Sequence, residues 1–222
     1  MKRIYNWNNY NLKRNKEAIK NFNKNKNRKV NFQETEIYQK VRDIYAFTIL
    51  MCQNKNENSN ILDYGGNLMS HVNLVKKINT KNTKISIFNP YINKLKNKTN
   101  LKINFINNLK KIKDQKFDLT FLGSVIQYLK QINNLNGQSI ILRSRYILIT
   151  HTPVNFSKEI IFVKQENAKN LYQTVYPLEY IEKKLLKNKF KIIFKSINDF
   201  KYLGIRKKYN NVFSTNILFK KK

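Results

Sequence analysis

The chain has 222 residues, with 44 Lys and Arg against 13 Asp and Glu for a formal charge of +31; 41% of its residues are hydrophobic and 13% aromatic. That apolar content can order a core of single-domain size, which excludes intrinsic disorder. The lone Cys52 excludes a disulfide scaffold and, with the polar start Met1-Lys2-Arg3-Ile4, points to a reducing cytoplasm; no apolar run approaches the ~18 residues of a bilayer span.

The charge is weaker evidence for a polyanionic partner than its size suggests. Lys outnumbers Arg 37 to 7 and Asn reaches 36, while Gly and Pro number only 5 and 3. Codons of A and T alone favour that skew. Asp and Glu codons need a single G, so the acid deficit is not wholly explained. Attraction to nucleic-acid phosphates, or peripheral contact with an anionic membrane, stays open.

Residues 1–55 read as a polar N-terminal extension, nearly low-complexity around Asn21-Phe22-Asn23-Lys24-Asn25, that ends in a helix over 31–52. Asn31 and Glu34 form its capping pair, and Ile37, Val41, Ile44, Tyr45, Thr48 and Met51 share one face. A linker follows at 53–59. Residues 56–222 then alternate strand and helix patterns.

Strands are predicted at 60–64, 84–88, 101–105, 117–122 and 144–150, with helices at 68–78, 91–96 and 125–134 between them. Apolar strands in a β-α-β-α rhythm argue for an α/β fold with a mostly parallel sheet covered on both faces. Residues 160–163 read as a further strand and 172–176 as an aromatic loop. Pro177 opens a helix with Leu178, Ile181 and Leu185 inward. Residues 190–194 and 212–219 close the chain as an antiparallel edge.

In such sheets ligands bind beyond the carboxyl ends of the strands, where the strand order switches. Asp63-Tyr64-Gly65-Gly66-Asn67 closes the first strand and holds two of the five glycines. It suits a close backbone approach to a ligand, or a plain strand-to-helix turn. Neither the G-x-G-x-x-G dinucleotide fingerprint nor a phosphate loop is present. Asn89 ends the second strand, where it can hydrogen-bond a ribose hydroxyl or simply form a turn before Pro90. Ser124, after the fourth strand, can cap the next helix or face a ligand. His151 follows the fifth strand in Thr150-His151-Thr152-Pro153 and is the acid/base candidate. No metal-ligand spacing and no serine-hydrolase elbow appear.

Ile-Leu-Asp-Tyr-Gly-Gly at 61–66, Gly-Ser-Val-Ile-Gln-Tyr-Leu at 123–129, His-Thr-Pro-Val at 151–154, and Gln165 with Tyr172, Tyr176 and Pro177 occur in that order. Together they resemble a family of S-adenosylmethionine-dependent methyltransferases often encoded near bacterial surface-polysaccharide genes. The resemblance spans residues 35–200 and implies a Rossmann-like, class I three-layer sandwich. It implies that Asp63, Gly65, Gly66 and Asn67 hold the methionine end of S-adenosylmethionine, with Asn89 at the ribose and Ser124 beside them. It further implies that Gln127, Tyr128, His151, Thr152, Pro153, Gln165, Tyr172 and Tyr176 line the acceptor side.

Three positions depart from the family pattern. Leu68 and Met69 follow Asn67 where another glycine is usual, Asn89 replaces an acid, and Thr150-His151 replaces Asp-Arg. The leading expectation is methyl transfer to a small or glycan-linked acceptor, with His151 as base. The rivals are a decayed methyltransferase fold serving as a partner protein, and a basic nucleic-acid-binding protein or nucleic-acid methyltransferase.

Overall fold

The computed structural model describes residues 36–53, 58–66, 82–89, 103–112, 114–129, 139–164, 172–201 and 211–222. The helices expected over 68–78 and 91–96 lie outside these residues. Among the described residues no helix is long and apolar enough to cross a membrane.

The central strands β1 (Ser59–Tyr64), β2 (Thr83–Phe88), β3 (Ile103–Ile106), β4 (Leu119–Gly123) and β5 (Tyr146–Asn155) form a parallel sheet in the order β3-β2-β1-β4-β5. Neighbouring residues point to opposite faces, and both faces are buried. Ile61, Phe121 and Leu148 join one core cluster; Leu62, Leu122 and Ile147 join the other. That explains why these strands read as apolar runs without polar alternation. The chain reverses its winding between β1 and β4.

Helix α1 (Glu36–Cys52) covers the first face. Its buried stripe runs through Tyr45, Ile49 and Cys52, at helical spacing, and Tyr45 stacks on Phe121 at 4.0 Å and 10°. Fully burying such a side chain contributes about 1.5–3 kcal/mol. Met51, expected inward, is exposed, because the stripe turns through its neighbour Cys52.

The other face is covered by α3 (Leu178–Leu186), after the short α2 (Ser139–Leu142). Leu178, Ile181 and Leu185 are buried as the periodicity predicts. Pro177 occupies the cap, Glu179 the first turn, and Lys183 and Lys184 the last, an order that suits the helix dipole.

The edges differ from the expectation in extent. Strand β8 (Phe190–Lys201) is far longer than the predicted 190–194, and pairs antiparallel with β9 (Phe213–Lys221), which lies antiparallel beside β5. The predicted aromatic loop is strand β7 (Tyr172–Pro177), paired antiparallel with β6 (Ile161–Lys164). Because β9 takes one edge of Val154 and Tyr176 takes the other, β7 lies on the β4 edge of β5, past the point where β4 ends at Gly123.

The predicted helix over 125–134 is also corrected in its described part. Residues Ile126–Tyr128 form a single 3-10 turn, and Leu129 is extended at φ −75 and ψ 135. The turn ends where β7 meets it: the Tyr176 hydroxyl donates to the Leu129 carbonyl at 3.2 Å.

Candidate functional site

The turns after β2, β1 and β4 and the bulge inside β5 form one continuous row. Asn89 takes the Ile106 carbonyl with its backbone N–H at 3.0 Å, and its side-chain amide donates to the Gly66 carbonyl at 3.1 Å. The Gly65 N–H donates to the Phe88 carbonyl at 2.7 Å, so the β1 turn is tied to β2 at both glycines.

Both glycines are sterically required. Gly65 has φ +85, and a Cβ there would lie 2.7 Å from Val125 Cγ2. A Cβ on Gly66 would fall on the Asp63 carboxylate. Asp63 is buried beneath the turn, on the same face of β1 as Ile61, and so it shapes the loop from below. Burial pushes the Tyr45 phenol well above its ordinary value, and the charge of Asp63 adds to the shift.

The row continues from Val125 to its neighbour Ser124, a non-glycine residue with φ 53. Ser124 does not cap the following turn: its N–H donates to the Thr150 carbonyl at 3.0 Å and its hydroxyl to the His151 carbonyl at 3.1 Å. These two bonds pin the end of β4 to β5.

His151 lies within β5 rather than after it, at a bulge. The pairing of β5 with β9 runs Ile149↔Ile217 and then Thr152↔Thr215, so Thr150 and His151 together oppose Asn216. His151 has φ 46, a conformation costing about 1–3 kcal/mol that the surroundings must impose. Three contacts do so: its N–H donates to Asn216 Oδ1 at 3.0 Å, its carbonyl accepts from Ser124, and its Nδ1 lies 3.2 Å from Ser214 Oγ. Burial lowers the imidazole pKa below the ordinary 6.5. The ring is therefore neutral at pH 7. Ser214 Oγ can accept from Nδ1–H or donate to a bare Nδ1; in the first tautomer the lone pair is on Nε2, free to take a proton from an acceptor.

The remaining candidates divide by exposure. Gln127 and Thr152 are fully buried, and the Thr152 hydroxyl donates to the Thr150 carbonyl at 3.2 Å. Tyr176 is buried and stacked on Tyr180 at 6.0 Å. These three side chains are packed inside the fold. Tyr128 and Tyr172 keep partial exposure, Tyr172 stacking on Phe162 at 5.7 Å. Asn67 and Gln165 lie outside the described residues. Ser214 and Asn216 were not anticipated; their one signal is the polar Ser214-Thr215-Asn216 interrupting an apolar strand.

No known family profile matches the sequence, and no curated protein matches it. Solved structures do. One is the Burkholderia thailandensis 1,6-didemethyltoxoflavin N1-methyltransferase with its acceptor and S-adenosylhomocysteine bound, at 9% identity and TM-score 0.59, covering 97% of this chain and 90% of that one. A second is the Synechocystis magnesium protoporphyrin IX methyltransferase with bound S-adenosylhomocysteine, at 12% identity and TM-score 0.56, covering 94% and 99%. A third is the [4+2]-cyclase SpnF, at 10% identity and TM-score 0.53, covering 81% of each chain. The parallel β3-β2-β1-β4-β5 sheet, its antiparallel β9–β8 edge and these likenesses establish the Rossmann-like fold of class I methyltransferases.

Proposed function

We propose that the protein transfers a methyl group from S-adenosylmethionine to a small or glycan-linked acceptor. The observation that carries this reading is the β1 turn, whose backbone is stripped of side chains at Gly65 and Gly66 and braced by Asp63 below and Asn89 beside it. A turn of that kind at the switch point suits a ligand that must approach the backbone closely. The solved structures of similar fold that hold S-adenosylhomocysteine support the same cofactor.

On this reading Gly65, Gly66 and Asn67 hold the methionine end, Asp63 positions them, and Asn89 Oδ1 accepts a ribose hydroxyl. Ser124 keeps the β4 turn in register with β5. The cofactor supplies an electrophilic methyl on a sulfonium. His151 takes the acceptor proton, and Tyr128 and Tyr172, with Gln165, orient the acceptor for in-line attack. Holding the reactants in line provides most of the acceleration. The glycan-linked class of acceptor follows the sequence resemblance.

The test is thermal unfolding with S-adenosylhomocysteine. A ligand at ~100 times its dissociation constant adds ~2.7 kcal/mol of stability. The Asp63→Ala variant should lose that gain. Folded wild-type protein that shows no shift at saturating concentrations would overturn cofactor binding.

A further inference from the structure

The opposite end of the sheet holds a cleft that the proposed transfer does not use. A cleft of ≈ 480 Å³ opens at the amino ends of β4 and β5, lined by Lys116, Phe117, Asp118, Arg143, Arg145, Lys221 and Lys222. It lies about 17 Å below the turns of the candidate site, the length of a five-residue strand. Five cationic side chains thus line the cleft with one carboxylate, and a second, Asp114, lies beside Arg143.

Local contacts hold several of these charges in place. Lys221 Nζ donates to the Leu142 carbonyl at 2.8 Å and lies 5.9 Å from the Phe190 ring centre; the Arg145 guanidinium lies 5.4 Å from that of Tyr146. Arg143 is 3.9 Å from Asp114. The Asp118 carboxylate is tied by the Asn60 N–H at 2.8 Å, which occupies one of its oxygens. The guanidinium groups are the informative part. Lysine is plentiful everywhere in this chain, but arginine occurs 7 times in 222 residues, and Arg143 and Arg145 flank a single serine at this cleft. Guanidinium groups pair with phosphate oxygens in two-pronged fashion, which lysine cannot match.

We propose that this cleft is a phosphate-binding site, with Arg143 and Arg145 gripping the phosphate oxygens and Lys116, Lys221 and Lys222 supplying the surrounding field. It gives local form to a charge that the composition spreads over the whole chain. The site is independent of methyl transfer and stands whether or not that reading holds.

The full chain is titrated at fixed ionic strength with inorganic pyrophosphate and, separately, with vesicles of phosphatidylcholine alone or mixed with phosphatidylglycerol. Arg143→Gln/Arg145→Gln should weaken pyrophosphate binding by roughly tenfold or more, while Lys158→Gln/Lys164→Gln, which removes the same charge elsewhere, changes it less than about twofold. Binding confined to the anionic vesicles, and lost only in the arginine variant, supports the same chemistry with a lipid headgroup as its source. Equal weakening in both variants, or no binding of either probe to wild type, overturns the proposal. If the arginine variant does not fold, Lys116→Gln/Lys222→Gln carries the same comparison.

Discussion

The imidazole Nδ1 of His151 and the hydroxyl of Ser214 lie 3.2 Å apart, across the one irregular step of the β5–β9 ladder. Strand β9 thereby orients a side chain that β5 presents just past the end of β4. If His151 accepts the acceptor proton, His151→Gln should lower kcat by about 10²–10⁴-fold. Ser214→Ala should lower it less, and should move the acid limb of the kcat/KM pH profile, which a purely structural serine would leave in place.

The same histidine sets an expectation for stability. Its folded pKa is lowered by burial from 6.5, so below that pH the unfolded chain binds a proton that the folded chain does not. Stability should fall as pH drops through 6.5, and level off for this group once pH is below the folded pKa. Urea unfolding across that range should show a shallower acid-side decline in His151→Gln. An unchanged slope would remove His151 from the pH response.

Gly66→Ala places a methyl group on the Asp63 carboxylate, so that buried carboxylate or the turn must move. A loss of about 1–3 kcal/mol is expected, together with loss of the S-adenosylhomocysteine thermal shift. Gly65→Ala adds ~1–2 kcal/mol of left-handed strain to its contact with Val125. In the Val125→Ala background only the contact is relieved, so the two substitutions should couple in a double-mutant cycle.

Asn89→Asp tests what the amide does. The acid keeps the size of the side chain, yet it cannot donate to the Gly66 carbonyl. Removing that donor and setting an anion against a carbonyl should cost about 1–3 kcal/mol, read by urea unfolding. A variant as stable as wild type would show that the tie is dispensable.

The Cys52 thiol is pushed up to about 12, first by burial and then by the charge of Asp118. Since only the thiolate reacts, folded protein at pH 8 should resist a disulfide reagent, and the thiol should titrate fully in denaturant. Rapid labelling of folded protein would mean that α1 opens locally.

The parallel strands were legible because residues buried on both faces must be apolar; Ile61-Leu62 and Phe121-Leu122 announce this wherever they fall. The inward stripe of α3 was legible because Leu178, Ile181 and Leu185 keep helical spacing. What could not be read was decided by residues far apart in sequence. The His151 bulge depends on Asn216, 65 positions away. Tyr172 to Tyr176 look like a loop until β6 pairs with them, and Val125 to Leu129 look helical until Tyr176 takes the Leu129 carbonyl. The glycine turn stood out from composition alone, whereas the use of Asn89 to tie it down did not.

The overhang of β5 past the end of β4 has a consequence for how such a protein can diversify. Its first half is committed to the sheet, and its last residues, Val154 and Asn155, anchor β7 through Tyr176 and Pro177. On the proposed reading, the glycine turn after β1 that serves the cofactor and the β6–β7 pair beside the acceptor are separate stretches of chain, with β4 and β5 between them in the sheet. Changes confined to residues 156–164 and 172–175 would then alter one part of the acceptor side while leaving the glycine turn, Tyr128 and His151 in place.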